Sequence, residues 1–544
     1  MSVAARVAVG AFFALLLAVG ALLVRDWGVS WDEPVSRLNG GVSLRYLAES
    51  LAPVLLLPGV KDFPELATYI DRDYGVAFEL PAVLFEKALG LQDSRDIYLL
   101  RHVLTFLVFA AGVDAVYRLA ARRFGGWLPG LVAATLLVLS PRFFAEGFYN
   151  SKDIVFMAAF AIALNTMVAF LLRPGVRAAL LHALACAFAI DVRIMGIALP
   201  VLTLAFLAVR AGRRECAARE AAIAGSLYFA AAAIGVFAMF PWLWSDPLGH
   251  FGQAFSAMAR FRWSGEVLYF GRTIPATRIP WHYPLVWIGI TTPPVVLAAG
   301  CIGVLASLAQ LARAHLWSDD GQMQDALFLA VFAVPLAAVI VLHSVLYDGW
   351  RQLYFVYPAF VLLAMKGLVL VRERLAASVH TRRVLDFGVA ASLAATAGWM
   401  VANHPYQQVY FNMLAGHDLR HRFDMDYWGV ANRQALEHVL ATDASPLVQV
   451  RAESDTPLRL GLAMLEPQQR QRLRILEGEP VDPSLPLYRL MNWRLVKFDV
   501  ERVVQNNAHR LRLAFQAKVG DEEFLSVYQD LQSGVGDPPI IRQP

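Results

Sequence analysis

The chain has 544 residues, 58% of them hydrophobic and 17% charged, with a mean hydropathy of +0.49 and a formal net charge of +4. A soluble domain is about half apolar and about a quarter charged, so this composition excludes an ordinary soluble globule and points to a polytopic α-helical membrane protein. The small net charge and the lack of a long basic run exclude a nucleic-acid partner, and Cys186, Cys216 and Cys301 are too scattered for a disulfide framework or a zinc site.

Residues 5–24 are apolar over a length that suits an uncleaved first helix better than the shorter core of a signal peptide. Further apolar runs predict spans near 97–118, 127–141, 154–172, 177–190, 194–210, 220–241, 284–311, 325–346, 353–371 and 385–402. That makes about eleven in all. The fifth and sixth are separated only by a break at Asp191–Arg193, which is placed outside the membrane. Alternate loops, such as "RLAARRFGG", "VRAGRRECAARE" and "VRERLAASVHTRR", are rich in Arg and are expected to be cytoplasmic. The opposite face then carries 25–96, "SPRFFAEGFYNSKD", 242–283, "YDGWRQ" and everything after about 403.

The division expected is a membrane core over 1–402, with a long first outer loop at 25–96, and a soluble C-terminal part over 403–544. In the tail, "RQALEHVLA" predicts a short helix, "SPLVQVRA" a strand and "EEFLSVYQDL" a strand or helix end, which together predict a small α/β domain. "GEPVDPSLP" and "GDPPIIRQP" predict loops. Within 25–96, "SLRYLAESLAPVLLL" and "YGVAFELPAVLFEKALG" suit short helices along the membrane surface, so this loop is expected to be ordered and to roof a site.

The outer loops hold nearly all the chemically active residue types. Asp32 and Glu33 open the first loop in "WDEP". A carboxylate at a membrane face can serve as a general base, because burial raises its pKa toward the working range. The second outer loop gathers Arg142, Glu146, Lys152 and Asp153. Asp153 could simply cap the fourth helix. Lys152 opposes the dipole of that helix, which phosphate binding or snorkelling to headgroups would explain. "LYDGWRQLYFVYP" adds Asp348 and Arg351, and Arg351 could pair with Asp348 or grip a phosphate in a bidentate fork. His282 and Tyr283 stand at the mouth of the eighth span, and Arg101 and His102 at that of the second. These groups converge on one membrane face, whereas a secondary transporter concentrates its polar sites near the midplane.

"WDEP", "YNSKDIVFM", "LYDGWRQLYFVYPAF" and "NHPYQQVYFN" followed by "FDMDYWGVANRQALEH" resemble, in family order and up to about residue 440, the bacterial branch of the dolichyl-phosphate-mannose–protein mannosyltransferase-like glycosyltransferases. The resemblance implies the GT-C fold and an inverting transfer of one sugar from a polyprenyl-phosphate carrier to an acceptor outside the cytoplasm. It implies an acidic residue of the first loop at the catalytic centre, which falls here on Asp32 with Glu33 beside it. The leaving phosphate needs cations; Lys152 and Arg351 are the first choices, with Arg142 and Arg101 behind them. Protein mannosyltransferases proper carry an extra folded module in an outer loop, and no insertion of that size is present, so glycan and lipid stand beside protein as acceptor classes. Some enzymes of this fold use a divalent metal; Asp32, Glu33, Asp153, Glu146 and His282 could supply ligands, but no spacing demands it. The expected setting is the bacterial inner membrane, with a cytoplasmic N-terminus and an extracytoplasmic C-terminal domain. The competing readings are a flippase for lipid-linked sugars and a non-catalytic subunit of a glycan assembly machine.

Overall fold

The computed structural model describes residues 1–259, 263–314, 316–494 and 504–531. The loop expected at "GDPPIIRQP" lies outside them. Among the described residues, nine helical stretches are long and apolar enough to cross a membrane, and a bent pair makes a tenth if it counts as one span. The protein is built as an integral membrane protein.

The first helix, α1 (Val3–Leu23), rises over about 31 Å at 1.5 Å per residue and leaves most of its surface outside the packed core. Ser2 caps it, accepting from Ala5 N at 3.2 Å. The first outer loop folds into α2 (Glu33–Ser50) and α3 (Glu79–Ala88), so both expected surface helices are present, with α2 beginning earlier than its apolar run. The next helix, α4 (Ser94–Arg123), is followed by α5 (Trp127–Val138) and α6 (Pro141–Tyr149), which meet at 72°. The bend falls where Pro141 has no N–H to continue the ladder; Ser140 Oγ donates to Leu136 O at 2.8 Å instead.

The centre of the bundle is α7 (Asp153–Leu172), buried on nearly every side and packed on α4 and on α8 (Val176–Val192). With 17 residues α8 rises over about 26 Å, short of the roughly 30 Å hydrocarbon core, so the span expected at 177–190 is a helix but not one of the nine. Next come α9 (Ala198–Gly212) and α10 (Ala218–Met239), the short amphipathic α11 (Pro247–Ala259), and a hairpin of β1 (Glu266–Tyr269) and β2 (Arg272–Pro275). The single span expected over 284–311 is split into α12 (Tyr283–Thr291) and α13 (Pro294–Ala314). Consecutive prolines at 293 and 294 remove two ladder donors, and the freed carbonyls of Gly289 and Ile290 accept instead from Asn412, from Nδ2 at 2.6 Å and from the backbone N at 2.8 Å. The last spans are α14 (Asp320–Val341), α15 (Tyr357–Arg374, preceded by a 3-10 turn from Arg351) and α16 (Val379–Ala402). Helices α13 and α15 pack closely because Gly303 and Gly367 face backbone carbonyls of the other helix, leaving no room for a Cβ.

After α16 the chain runs through short turns and enters α17 (Asn432–Thr442), the helix expected at "RQALEHVLA". A five-stranded mixed sheet follows, in the order β4-β3-β5-β7-β6. Strands β3 (Val448–Ala452), β4 (Leu473–Leu476) and β5 (Leu487–Asn492) are parallel, while β7 (Glu522–Asp530) runs antiparallel to β5 and to β6 (Leu511–Val519). The strand expected at 445–452 is present, and the segment 522–531, expected as a strand or helix end, is a strand. The sheet docks on the helical part through an Arg470–Asp93 ion pair at 2.5 Å and a Ser94 Oγ–Ala463 O bond at 2.9 Å.

Candidate active site

The site is built around a turn between α14 and α15. Asp348 and Gly349 both have positive φ, at 53° and 73°, which reverses the chain sharply. Trp350 is anchored below it, donating from Nε1 to Thr291 Oγ1 at 2.9 Å. Arg351 is thereby aimed back at Asp348, its Nη2 lying 3.4 Å from Asp348 Oδ2. Its other terminal nitrogen, Nη1, donates at 3.0 Å both to Asp32 Oδ2 and to Asp153 Oδ2. The guanidinium lies over the rings of Trp428 (4.6 Å) and Tyr347 (4.8 Å).

Asp153 opens α7 but does not cap it. Asn150 Oδ1 does so, accepting from Asp153 N at 2.7 Å, and Asn150 Nδ2 reaches Asp153 Oδ2 at 3.2 Å. The second oxygen of Asp153 is taken by Arg193, at the end of α8. The break at Asp191–Arg193 thus belongs to the site. Asp191 accepts from the backbone N–H of Ala77, tying the first outer loop to α8, and Gly75 lies so close to the Asp191 carbonyl that a Cβ there would collide with it.

Lys152 differs from the arginines. Its Nζ sits 3.8 Å above the Tyr74 ring, and among the described residues it makes no hydrogen bond or ion pair. Burial pushes its pKa down to about 8, although Asp32 pulls the other way. Asp32 departs from the sequence expectation of a raised pKa. Burial does push its carboxyl up, but the Arg351, Lys152 and Arg193 charges outweigh burial and hold it below the ordinary value. Asp32 keeps 30% of its side chain exposed, whereas Asp153 is buried.

The remaining sequence candidates have other partners. Glu33 is buried, accepts from Ser30 N at 2.7 Å and lies 3.1 Å from His102 Nε2. Arg101 pairs with Glu79, whose other oxygen accepts from Ser151 Oγ at 2.8 Å. Glu146 accepts from Asn150 (2.7 Å), Tyr354 (2.9 Å) and Tyr427 (3.2 Å). Arg142 donates to Tyr410 O at 2.9 Å and lies over Phe411. His282 bonds the Tyr269 hydroxyl at 2.6 Å, and Tyr283 is fully buried beside it. Of the twelve residues singled out in the sequence, the structure therefore joins Asp32, Asp153, Asp348 and Arg351 directly, with Lys152 alongside. Among the described residues no group of three His, Cys, Asp or Glu side chains gathers as a cation site. Of the five residues considered as metal ligands, Asp32 and Asp153 share Arg351, while Glu33, Glu146 and His282 each have other partners.

Sequence reasoning passed over Arg193, Tyr74, Asn150, Trp428 and Arg494. Arg193 carried a signal, a charged residue inside a long apolar run. Arg494 follows β5 in the C-terminal sheet, donates from Nη2 to Asp348 Oδ1 at 2.7 Å and lies 5.0 Å over the Trp31 ring. Nothing in a polar tail marks such a residue.

Residues 93–244 match the family model described as dolichyl-phosphate-mannose-protein mannosyltransferase, and this segment contains the "YNSKDIVFM" motif. The chain is also similar to two crystal structures of ArnT from Cupriavidus metallidurans. With the apo state it shares 14% identity over 96% of this chain and 98% of that one, at a TM-score of 0.49. With the form bound to undecaprenyl phosphate it shares 14% identity over 98% and 99%, at a TM-score of 0.47. No curated protein matches the chain.

Proposed function

We propose that the protein is an inverting glycosyltransferase of the GT-C type that moves a sugar from a polyprenyl-phosphate carrier to an acceptor hydroxyl at the extracytoplasmic membrane face. The observation that carries this reading is a partly exposed carboxylate, Asp32, held below its ordinary pKa, near an ammonium that forms no ion pair among the described residues, Lys152. The family description names a donor of that chemical kind. Asp32 takes the proton from the acceptor hydroxyl as its oxygen attacks the anomeric carbon. The bond to the phosphate breaks on the opposite side, and the leaving phosphate keeps the electron pair beside Lys152. Arg351 contributes by holding Asp32 and Asp153 in register, because its fork is already filled by carboxylates. Glu33 braces the loop from behind, through Ser30 and His102.

In this reading residues 1–402 form the catalytic core and 403–544 an extracytoplasmic domain, in a bacterial inner membrane with the N-terminus cytoplasmic; the Arg-rich alternate loops support that orientation. Mass spectrometry of cell-surface glycans, lipids and glycoproteins with and without the gene tests it. One sugar should disappear on deletion and return with the wild-type gene but not with Asp32→Asn. An unchanged surface, or full restoration by Asp32→Asn, refutes the assignment.

A further inference from the structure

Seven charged side chains meet at the mouth of the site. Three are carboxylates, Asp32, Asp153 and Asp348; four are cations, Lys152, Arg193, Arg351 and Arg494. Glu146 makes no ion pair with any of these and reaches Asp153 only through Asn150. Formally these seven sum to one positive charge in excess, and Lys152 is the cation left without a carboxylate; Asp191 and Asp426 nearby accept from backbone and amide N–H groups and form no ion pair with these cations. A sugar joined to a lipid through a phosphodiester carries one negative charge, which this excess matches. The excess depends on Arg494, the single member supplied by the C-terminal sheet. Its side chain is nearly buried, at 7% exposure, and reaches Asp348 from the side opposite Arg351. Without it, Asp348 would be left half-neutralised and would draw on Arg351, and the seven-residue charge would fall to zero.

We propose that Arg494 is a positioning residue of the site, which neutralises Asp348 so that the core retains the positive charge needed to hold the donor phosphate. The C-terminal domain is on this account part of the donor site. The inference rests on the donor reading given above.

Binding of undecaprenyl phosphate to the purified full-length protein at low ionic strength tests it. Arg494→Gln should weaken binding about tenfold, the scale of one uncompensated charge at short range in a partly buried site. Arg494→Lys should stay within about twofold of wild type. Adding Asp348→Asn to Arg494→Gln should restore most of the lost affinity, and Asp348→Asn alone should tighten binding. A merely structural role for Arg494 gives no such recovery. Wild-type affinity in Arg494→Gln, failure of the double variant to recover, or weaker binding in Asp348→Asn alone overturns the inference. Failure of the wild-type protein to bind undecaprenyl phosphate overturns the donor reading itself, and is thereby distinguished from failure of the Arg494 assignment.

Discussion

Asp32 and Asp153 share one nitrogen: Nη1 of Arg351 donates to an oxygen of each at 3.0 Å. Two carboxylates from separate loops are thereby held side by side, an arrangement that like charges would not adopt unaided. Removing the shared cation should have larger effects than removing either acid. Arg351→Ala leaves Asp32 without its ion-pair partner and Asp153 and Asp348 with one cation each, Arg193 and Arg494, so it should cost less than the roughly 3–5 kcal/mol of breaking a fully buried pair. Arg351→Lys supplies one point charge in place of a fork and should recover only part of it. Thermal unfolding in detergent, measured together with transfer from a lipid-linked donor, checks both expectations.

Asp32→Asn should lower transfer by about two to four orders of magnitude, the usual contribution of a general base. Because Asp32 is held below its ordinary 3.8, its working, ionised form persists down to that range and is lost only as pH falls through the lowered value. The acid limb of the pH–rate profile should therefore lie below about pH 4, the ordinary aspartate range. A limb near pH 6 would show that another group is the base.

Lys152 predicts the alkaline limb. Its protonated form is the one that attracts phosphate, and burial brings its pKa down to about 8. Donor affinity should be full below that value and fall as pH rises through it. Lys152→Arg should keep its charge at pH 9 and abolish this limb, whereas Lys152→Ala should weaken donor binding at every pH. Titrating the donor KM in the three proteins separates these cases.

Glu33 should behave unlike its neighbour. Its oxygens are committed to Ser30 and His102, so Glu33→Gln should lower stability by about 1–3 kcal/mol through weakened buried hydrogen bonds while keeping measurable transfer. Unchanged melting with complete loss of transfer would make Glu33 a second catalytic acid.

Gly75→Ala should detach the first outer loop from α8, because the new methyl would be driven into the Asp191 carbonyl. Overpacking of this kind costs about 1–3 kcal/mol. Faster proteolysis within 71–77 than in wild type is the expected readout, and unaltered cleavage would show that the loop yields elsewhere.

The spans were legible because a helix in lipid needs a long apolar run, and α1, α7, α10 and α14 each carry one. The split of 284–311 was not, since apolar content hides the two prolines that end α12. Asp32, Lys152 and Arg351 stood out because charged residues at helix mouths are costly. Their mutual arrangement was hidden: Arg351 fitted a phosphate clamp as well as a carboxylate clamp, and only the fold decides which partner lies in reach. The sign of the Asp32 shift was hidden for the same reason, because burial could be inferred from sequence and the three neighbouring cations could not. Arg494 had no local signal at all, as its partner Asp348 lies 146 residues away.

The joint between α17 and the end of α1 bears on how the molecule comes into being. Arg433 Nη1 donates to Trp27 O at 3.0 Å and Gln434 Nε2 to Asp26 O at 2.6 Å, closing the stretch that leads to Asp32. Synthesis runs from the N-terminus, so Asp32 leaves the ribosome long before Arg351 and these clasping residues. A chain halted before Arg351 lacks both the guanidinium hydrogen-bonded to Asp32 and the clasp. The surroundings of Asp32 are therefore completed last, by residues that follow every span in the sequence.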